Sequence, residues 1–332
     1  MQRFRYGPEN PDITYVPHKY DEQLVDIGEV VMNYATVGSP DKPAMVLIPA
    51  QTESWWGYET AMGMLSDDFQ VFAVDLRGQG RSSRTPGRYT FDNFGNDLVR
   101  FITFVVARPV VVSGLSSGGV IAAWLSAYAP PGMIRGAYYE DPPLFACERS
   151  PAFGQGIRQG VLTMFELFST YLGDQWRVGD WEGLIKAGRD VMGDVLWEMA
   201  AALLQLGPEP SQWLKEYDPE WAKAFVTGSV GASCDHAQML SRVKCPVLFT
   251  HHISIVDENT GNLVGASSVQ QVNQVEKLVT NAGQPFTRLT FPTMGHIMHG
   301  DDPELFVRTL VDWEKTLQTE AETRRKGVFA RS

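Results

Sequence analysis

The stretch PVVVSGLSSGG, residues 109–119, decides the fold of this chain. Its first part, Pro109–Ser113, is a short apolar run typical of a buried strand, and a helix of small residues is predicted directly after it. Between them lies the pattern G-x-S-x-G, which is common on its own but in a strand–turn–helix setting is typical of a nucleophile elbow. This setting predicts that Ser116 is a nucleophile. Ser117 is the weaker candidate, because the residue two positions before it would be the bulky Leu115.

Apolar runs too short for helices recur along the chain, and a helical pattern, Phe91–Val106, separates two of them. Runs that are apolar on both faces are typical of strands buried in a parallel sheet. Strand, helix and strand in alternation predict a right-handed βαβ arrangement. The other predicted strands are Gln23–Val25, Val30–Ala35, Ala44–Ile48, Val71–Val74, Gly136–Tyr139, Pro246–Thr250 and Phe286–Phe291, and a closing helix is predicted over Pro303–Leu317.

Between about residues 150 and 240 only helical patterns occur, which predicts a helical block inserted into one α/β domain. Five of the nine tryptophans fall in this block, where large side chains bury the area that a small helical layer needs. We therefore expect an α/β protein with a mostly parallel central sheet, flanked by helices and covered by an α-helical cap. The expected parts are an N-terminal arm over 1–22, a core over 23–145 and 241–320, a cap over 146–240 and a flexible tail over 321–332.

The charge composition argues against two classes of binding partner, nucleic acids and membranes. Lys and Arg number 28 and Asp and Glu number 39, so the net charge is 28 − 39 = −11. An acidic surface repels phosphate backbones and anionic lipids, which argues against nucleic acid and membranes as partners. The sequence contains no long apolar run and no apolar leader, and its three cysteines form no CxxC pair. We therefore expect a cytoplasmic protein without a structural metal.

A second landmark, DLRGQGRS over Asp75–Ser82, follows another predicted strand. Together with the elbow it resembles the α/β-hydrolase family in the number, order and spacing of elements, from about Gln23 to Leu317. The resemblance implies a hydrolase with a catalytic triad in the chain order serine, acid, histidine. It also implies that the histidine lies between the last strand and the last helix.

Six histidines compete for the role of the base that a serine hydroxyl needs at neutral pH. His296 follows Gly295 in the loop before the last predicted helix, which is the place that the family implies. His299 has the same local setting without the glycine, and we expect it to be a supporting or surface residue. His251 and His252 end a predicted strand and are expected to line the pocket or to be structural.

The acid is where the sequence departs from the commonest family pattern. An aspartate about five residues beyond the predicted strand Pro246–Thr250 would fall on Ile255, which cannot orient an imidazole, and Asp257 is out of phase. Glu140 stands at the end of the preceding strand, 140 − 116 = 24 residues after the nucleophile, where some relatives carry their acid. We therefore predict Glu140 as the acid. Asp257 and Asp141 are the alternatives, although Asp141 would point to the opposite side if the strand continued through it.

A tetrahedral intermediate needs preorganised hydrogen-bond donors around its oxyanion. The backbone amide of Ser117 is one predicted donor, and the loop after the strand Ala44–Ile48 should supply the second. In that loop Pro49 has no N–H to give, and Gln51 aligns with the donor position. We therefore predict the backbone amide of Gln51 as the second donor, with its side chain as a further candidate.

Beyond the shared fold, four stretches of the sequence resemble the corresponding stretches of the zearalenone hydrolases of the lactonase type. This resemblance implies that Ser116 attacks the macrocyclic ester of a resorcylic acid lactone, with His296 as base, Glu140 as acid and no metal or organic cofactor. It places Trp221 where a cap tryptophan of that family reaches the lactone, while packing inside the cap is an equally good interpretation. The four stretches are Gly38–Asp41, Gln51–Trp56, Asn93–Arg100 and Lys215–Trp221.

Two other functions fit the same residues. One is a general carboxylesterase acting on other bulky aromatic esters, and the other is a non-catalytic ligand receptor on the same fold. In each case the expected partner is a small, apolar, aromatic molecule, because an aromatic-rich cap favours such ligands. Relatives suggest a homodimer, but the sequence shows no decisive interface pattern.

Overall fold

The computed structural model describes residues 17–151, 153–194, 197–198, 201, 206–256, 258 and 261–329. Most of the predicted N-terminal arm lies outside these residues. So does Asp257, one of the alternative acids.

An eight-stranded sheet forms the centre of the molecule. Its strands are β1 Glu22–Asp26, β2 Val31–Val37, β3 Ala44–Ile48, β4 Gln70–Val74, β5 Val110–Leu115, β6 Ile134–Glu140, β7 Val247–His251 and β10 Phe286–Thr290, and a separate hairpin consists of β8 Ile255–Val256 and β9 Leu263–Val264. The strand order is β1-β2-β4-β3-β5-β6-β7-β10, in which β1 and β2 pair antiparallel, β2 and β4 pair antiparallel, and the remaining neighbours are parallel. The predicted α/β fold with a mostly parallel sheet is therefore confirmed.

Helices cover both faces of the sheet, and each face has its own apolar core. One core contains the helices 91–101 and 117–128 together with the cap, and the other contains the helices 59–65 and 303–329. None of the helices in the described ranges combines the length and apolarity needed to cross a bilayer. The core helices are Glu59–Leu65, Phe91–Phe101, Ser117–Tyr128, His236–Leu240, Val269–Asn281, Met298–Asp301 and Pro303–Phe329, with short helical turns at Trp55–Tyr58, Ile102–Val106 and Ser229–Gly231.

Within the chain between β6 and β7, the helices from Arg158–Tyr171 to Pro219–Thr227 form a layer over one end of the sheet. The helix Arg158–Tyr171 packs against both Trp181–Met192 and Pro219–Thr227, and a short helix, Gln212–Glu216, precedes the last of these. Four of its tryptophans are buried, because they fill the space between thin layers of helix. The predicted helix over 194–206 is only partly within the described residues.

Two parts of the chain differ from the prediction. The last helix continues to Phe329 instead of ending at Leu317, so the predicted flexible tail is helical as far as it is described. The reason is composition, since residues 318–326 are rich in the strong helix formers Glu, Ala, Arg and Lys. The hairpin β8–β9 was not predicted, because strands of two residues are too short to show alternation.

Gly95 allows the helix that carries the elbow to pack closely. A Cβ on Gly95 would lie 2.0 Å from the ring of Trp124 in the helix 117–128. We expect Gly95→Ala to lower the free energy of unfolding by about 1 to 2 kcal/mol, because overpacking costs more than the roughly 1 kcal/mol that alanine gains over glycine in a helix. Urea denaturation measures the change. Gly231→Ala, whose Cβ would lie 3.6 Å from Phe91, is the control, and equal effects of the two would contradict the packing argument.

Candidate active site

The residues predicted for catalysis follow strands that end at the same edge of the sheet. Leu115 at the end of β5 pairs with Glu140 at the end of β6, and Glu140 pairs with Thr250 in β7. His251, the last residue of β7, pairs with Thr290, the last residue of β10. The loops that follow these four strands therefore leave the sheet side by side, which is where ligands bind in open α/β sheets.

Ser116 lies in the sharp turn between β5 and the helix 117–128. Its backbone has φ 54 and ψ −118, a conformation that non-glycine residues rarely adopt and that marks a nucleophile elbow. The turn is possible because glycine occupies the positions two residues before and two residues after Ser116. A Cβ on Gly114 would lie 2.2 Å from the carbonyl oxygen of Gly118, and one on Gly118 would lie 2.4 Å from that of Ile48.

The loop 49–53, here called the oxyanion loop, lies against this turn. In the part of the chain that the structure describes, the backbone amides of Gln51 and Ser117 donate to no other protein group. The amide of Ala50 is occupied, since it donates to Glu53 Oε2 at 2.9 Å, and its carbonyl accepts a bond from Gln79 Nε2 at 2.6 Å. The two free amides are the pair that the sequence predicted as oxyanion donors.

His296 meets a carboxylate in the loop after β6. Its Nδ1 lies 2.7 Å from Asp141 Oδ2, and 41% of its side chain is exposed, so the ring reaches from the core to the surface. Desolvation lowers the pKa of His296, but the hydrogen bond and the charge of Asp141, with the charges of Glu140 and Glu53, outweigh it and raise the pKa above 6.5.

The partner of His296 differs from the prediction, which favoured Glu140. The strand β6 ends at Glu140, and Asp141 has a left-handed backbone with φ 39, so the alternation of a strand does not continue through it. This turn carries the Asp141 side chain to His296 instead of to the opposite side of the sheet. The amide of His252 donates to its second oxygen, Oδ1, at 3.1 Å, and the amide of Asp141 donates to the carbonyl of Thr250.

Glu140 points to the other face and meets a different histidine. His299 Nδ1 lies 3.2 Å from Glu140 Oε2, and His299 Nε2 lies 2.8 Å from Glu53 Oε1. All three side chains are buried. Desolvation lowers the pKa of His299, but the two carboxylates outweigh it and raise the pKa to about 10. The raised pKa and the carboxylate at each ring nitrogen favour the imidazolium form of His299, which is a buried supporting residue and not a surface one.

Two further histidines have structural partners. His252 Nδ1 donates to the carbonyl of Gly295 at 2.8 Å, which fixes the loop that carries His296. His251 Nε2 donates to the carbonyl of Ser267 at 2.8 Å. Glu53 is the site residue that sequence reasoning did not identify. Its signal is a lone carboxylate in an otherwise uncharged, aromatic stretch, residues 49–58.

Two consecutive side chains of the cap hold it to the loop region after β3. Glu216 accepts a hydrogen bond from Trp56 Nε1 at 2.9 Å and another from the hydroxyl of Ser54. The hydroxyl of Tyr217 accepts a bond from Gln51 Nε2 at 2.6 Å. The Gln51 side chain is therefore engaged with the cap, and of its two predicted roles as an oxyanion donor only that of the backbone amide stays a prediction.

Trp221 is completely buried beneath this contact. Its ring lies 4.5 Å from that of Phe94, centroid to centroid, and also packs against Tyr89 and Tyr217. Its Nε1 is buried and has no hydrogen-bond partner in the described part of the chain. These contacts give Trp221 a packing role between cap and core, and contact with a substrate stays a prediction. No group of three or more potential metal ligands occurs among the residues that the structure describes.

Comparison with known proteins identifies the family. A sequence model described as "Alpha/beta hydrolase family" matches residues 45–309. The chain is 28% identical to 3-oxoadipate enol-lactonase 2 of Acinetobacter baylyi over 102 residues. This alignment covers 31% of this chain and 38% of that protein. It is 26% identical over 117 residues to epoxide hydrolase 1 of Caenorhabditis elegans, 35% of this chain and 29% of that protein. The alignments thus span less than half of these relatives.

A solved structure shares the fold over most of the chain. The enol-lactonase from Burkholderia xenovorans LB400 superposes with a TM-score of 0.61 and covers 88% of this chain and 100% of its own, at 17% identity. At this identity the likeness shows the fold alone.

The buried His299 should make the stability depend on pH. Its pKa in the folded protein, about 10, lies above the 6.5 of an unfolded histidine, so its contribution is complete below about pH 6.5 and is lost as the pH rises toward 10. We expect the free energy of unfolding from urea titrations to fall over this window more steeply for the wild type than for His299→Gln. Parallel pH dependences of the two proteins would show that His299 is not charged in the fold.

Proposed function

Because this chain belongs to the alpha/beta hydrolase family, we propose that it is a serine hydrolase that cleaves carboxylic esters and lactones through an acyl-enzyme on Ser116. The observation that carries this proposal is the hydrogen bond between His296 and Asp141 at the sheet edge where the strained elbow presents Ser116. A serine, an imidazole and a buried carboxylate that orients it are the parts that acyl transfer needs. The enol-lactonase among the similar proteins supports the same class of reaction.

In the first half-reaction the Ser116 hydroxyl oxygen attacks the ester carbonyl carbon, and His296 Nε2 takes the hydroxyl proton. The carbonyl oxygen becomes an oxyanion, which accepts hydrogen bonds from the amides of Gln51 and Ser117. When the intermediate collapses, the bond from the acyl carbon to the leaving oxygen breaks and His296 returns the proton to that oxygen. In a lactone the released hydroxyl stays attached to the acyl chain.

In the second half-reaction a water molecule gives its proton to His296 and attacks the acyl carbon. When this second intermediate collapses, the bond between the acyl carbon and the Ser116 oxygen breaks and His296 returns the proton to that oxygen. The Ser116 hydroxyl is thereby restored, and the product is a carboxylic acid. Throughout the reaction Asp141 accepts a hydrogen bond from the Nδ1–H group of His296. This bond favours the tautomer in which Nε2 is free to act as a base. Its negative charge also stabilises the imidazolium that forms, which agrees with the raised pKa of His296.

The nucleophile argues against epoxide opening, although an epoxide hydrolase is among the similar proteins. Attack by a serine on an epoxide carbon would leave an ether, which neither His296 nor the oxyanion amides could help water to cleave. Epoxide hydrolases need a carboxylate nucleophile, because its ester with the substrate can be hydrolysed. Ser116 at the elbow therefore supports esters and lactones as substrates.

For the substrate we propose a bulky aromatic lactone, of which the resorcylic macrolactone zearalenone is the test case. Aromatic side chains of the cap and core meet beside the oxyanion loop, with Trp56 and Trp213 5.0 Å apart, centroid to centroid. Aromatic side chains this close to the proposed oxyanion donors favour flat apolar substrates over sugars or peptides. The resemblance of the stretches 51–56 and 215–221 to zearalenone hydrolases supports the choice of lactone.

Incubation with zearalenone, analysed by mass spectrometry, tests this function. We expect a product heavier by one water, formed by the wild type and not by Ser116→Ala. A short-chain nitrophenyl ester is the parallel substrate. Turnover of this ester without opening of zearalenone would indicate a general carboxylesterase. Tight binding of zearalenone with no turnover of either substrate would indicate a receptor and contradict the proposal.

The two adjacent carboxylates provide a test of the acid. We expect Asp141→Asn to lower kcat by about 10³ to 10⁴, because the amide no longer stabilises the required tautomer of His296. Glu140→Gln should cost less, since Glu140 meets His299 and not His296. Steady-state kinetics on the same ester compares them. A larger loss in Glu140→Gln than in Asp141→Asn would return the role of acid to Glu140.

A further inference from the structure

We propose that His299 is a positioning residue for the oxyanion hole, an inference that rests on the proposed hydrolysis. Held between Glu53 and Glu140, it connects the oxyanion loop to the end of β6. This chain of three buried side chains is here called the carboxylate bridge. It touches no substrate, and it acts by fixing the direction of the Gln51 amide.

At one end the carboxylate bridge holds the oxyanion loop. Glu53 uses both carboxylate oxygens, since Oε2 accepts the amide of Ala50 at 2.9 Å and Oε1 accepts His299 Nε2 at 2.8 Å. With the Ala50 amide turned inward to Glu53, the next amide, that of Gln51, is left free for an oxyanion. The following residue, Thr52, has a left-handed φ of 70, so the loop adopts a conformation that needs such external support.

At the other end the bridge is attached to the strand that precedes the proposed acid. His299 donates from both Nδ1 and its backbone amide toward Glu140, at 3.2 Å each. The backbone carbonyl of Glu140 accepts the amide of Ser116 at 2.9 Å, and Asp141 is the next residue along the chain. The nucleophile, the proposed acid and the oxyanion loop are thus connected to one imidazolium through short, buried contacts.

Packing holds the His299 ring in this orientation. The ring of Tyr58 stacks on it with centroids 3.9 Å apart, and the Tyr58 hydroxyl donates to the carbonyl of Ile48, the residue before the oxyanion loop. Gly57 leaves room for the carboxylate, because a Cβ there would lie 2.4 Å from Glu53 Oε1. The side chain of Glu53 therefore has one well-defined position.

The positive charge explains why the bridge needs a histidine. Two buried carboxylates that share one site repel each other, and an imidazolium with two donors compensates both. A neutral side chain would leave one carboxylate unpaired. The Glu53 carboxylate would then turn away, and the amide of Ala50 would lose its acceptor.

Phosphonylation by a nitrophenyl phosphonate tests the inference, because the phosphonyl oxygen occupies the oxyanion hole without requiring the natural substrate. We expect His299→Gln to lower the phosphonylation rate constant at saturating reagent by about 10- to 100-fold. This effect should not exceed the loss of rate that follows when one oxyanion donor is removed. The reagent concentration for half-maximal rate should stay unchanged, since the bridge contacts no ligand. Hydrogen exchange of the amides of residues 50–53 should become faster in the same variant.

Two further variants keep the test decisive. Gly57→Ala displaces the Glu53 carboxylate without removing any ionisable group, and it should show the same two effects even if His299→Gln fails to fold. His236→Gln is the matched control. It removes another buried imidazole, whose Nδ1 accepts a hydrogen bond from the amide of Phe145 at 2.8 Å. This variant should be phosphonylated at the wild-type rate.

The outcomes separate this inference from the proposed function. Wild-type labelling rates and unchanged exchange in both His299→Gln and Gly57→Ala would overturn the inference and leave the function standing. Faster exchange of the loop in a protein whose Ser116 is not labelled even in the wild type would overturn the function and keep the bridge. Slower phosphonylation of Ser116 with unchanged hydrogen exchange of the oxyanion loop would also contradict the inference. The loss of rate would then arise outside the oxyanion loop.

Discussion

The hydrogen bond between Asp141 and His296 is the interaction on which the proposed chemistry depends. It joins the loop after β6 to the loop after β10, and it fixes the imidazole at the edge of the sheet where Ser116 leaves β5. The bond exists because the chain turns left-handed at Asp141, with φ 39, immediately after the strand ends. Non-glycine residues hold such a backbone only when their surroundings compensate for it, and here the amide of His252 and the carbonyl of Thr250 do so.

Adjacent carboxylates at one strand end serve two different histidines. Glu140, the last residue of β6, follows the alternation of the strand to the face that carries the C-terminal helix, where it meets His299. Asp141, one residue later, is outside the strand and meets His296. Each carboxylate thus has its own imidazole, and the two histidines differ accordingly. His299 is completely buried and its pKa is raised to about 10, whereas His296 is partly exposed, as the proposed base must be in order to exchange protons with a substrate.

Much of the fold could be predicted from the sequence, because buried parallel strands and the glycines around Ser116 leave strong local signals. The position of His296 could be predicted for the same reason, since it follows from the order of elements. The carboxylate that meets His296 could not be predicted, because the choice between Glu140 and Asp141 depends on where β6 ends, to within one residue. Strand ends are set by tertiary hydrogen bonds that a single sequence does not display. The role of Glu53 depends on contacts more than two hundred residues apart and was equally invisible.

The central claim is that Ser116 forms a covalent acyl-enzyme, and a rapid-mixing experiment tests it most directly. With a chromogenic nitrophenyl ester in excess, the account predicts a burst of one nitrophenol per chain, followed by slower turnover. Quenching at the end of the burst and digesting the protein should locate the acyl group on the peptide that contains Ser116. Hydrolysis without a burst and without any acylated peptide, or acylation of a different residue, would contradict the account.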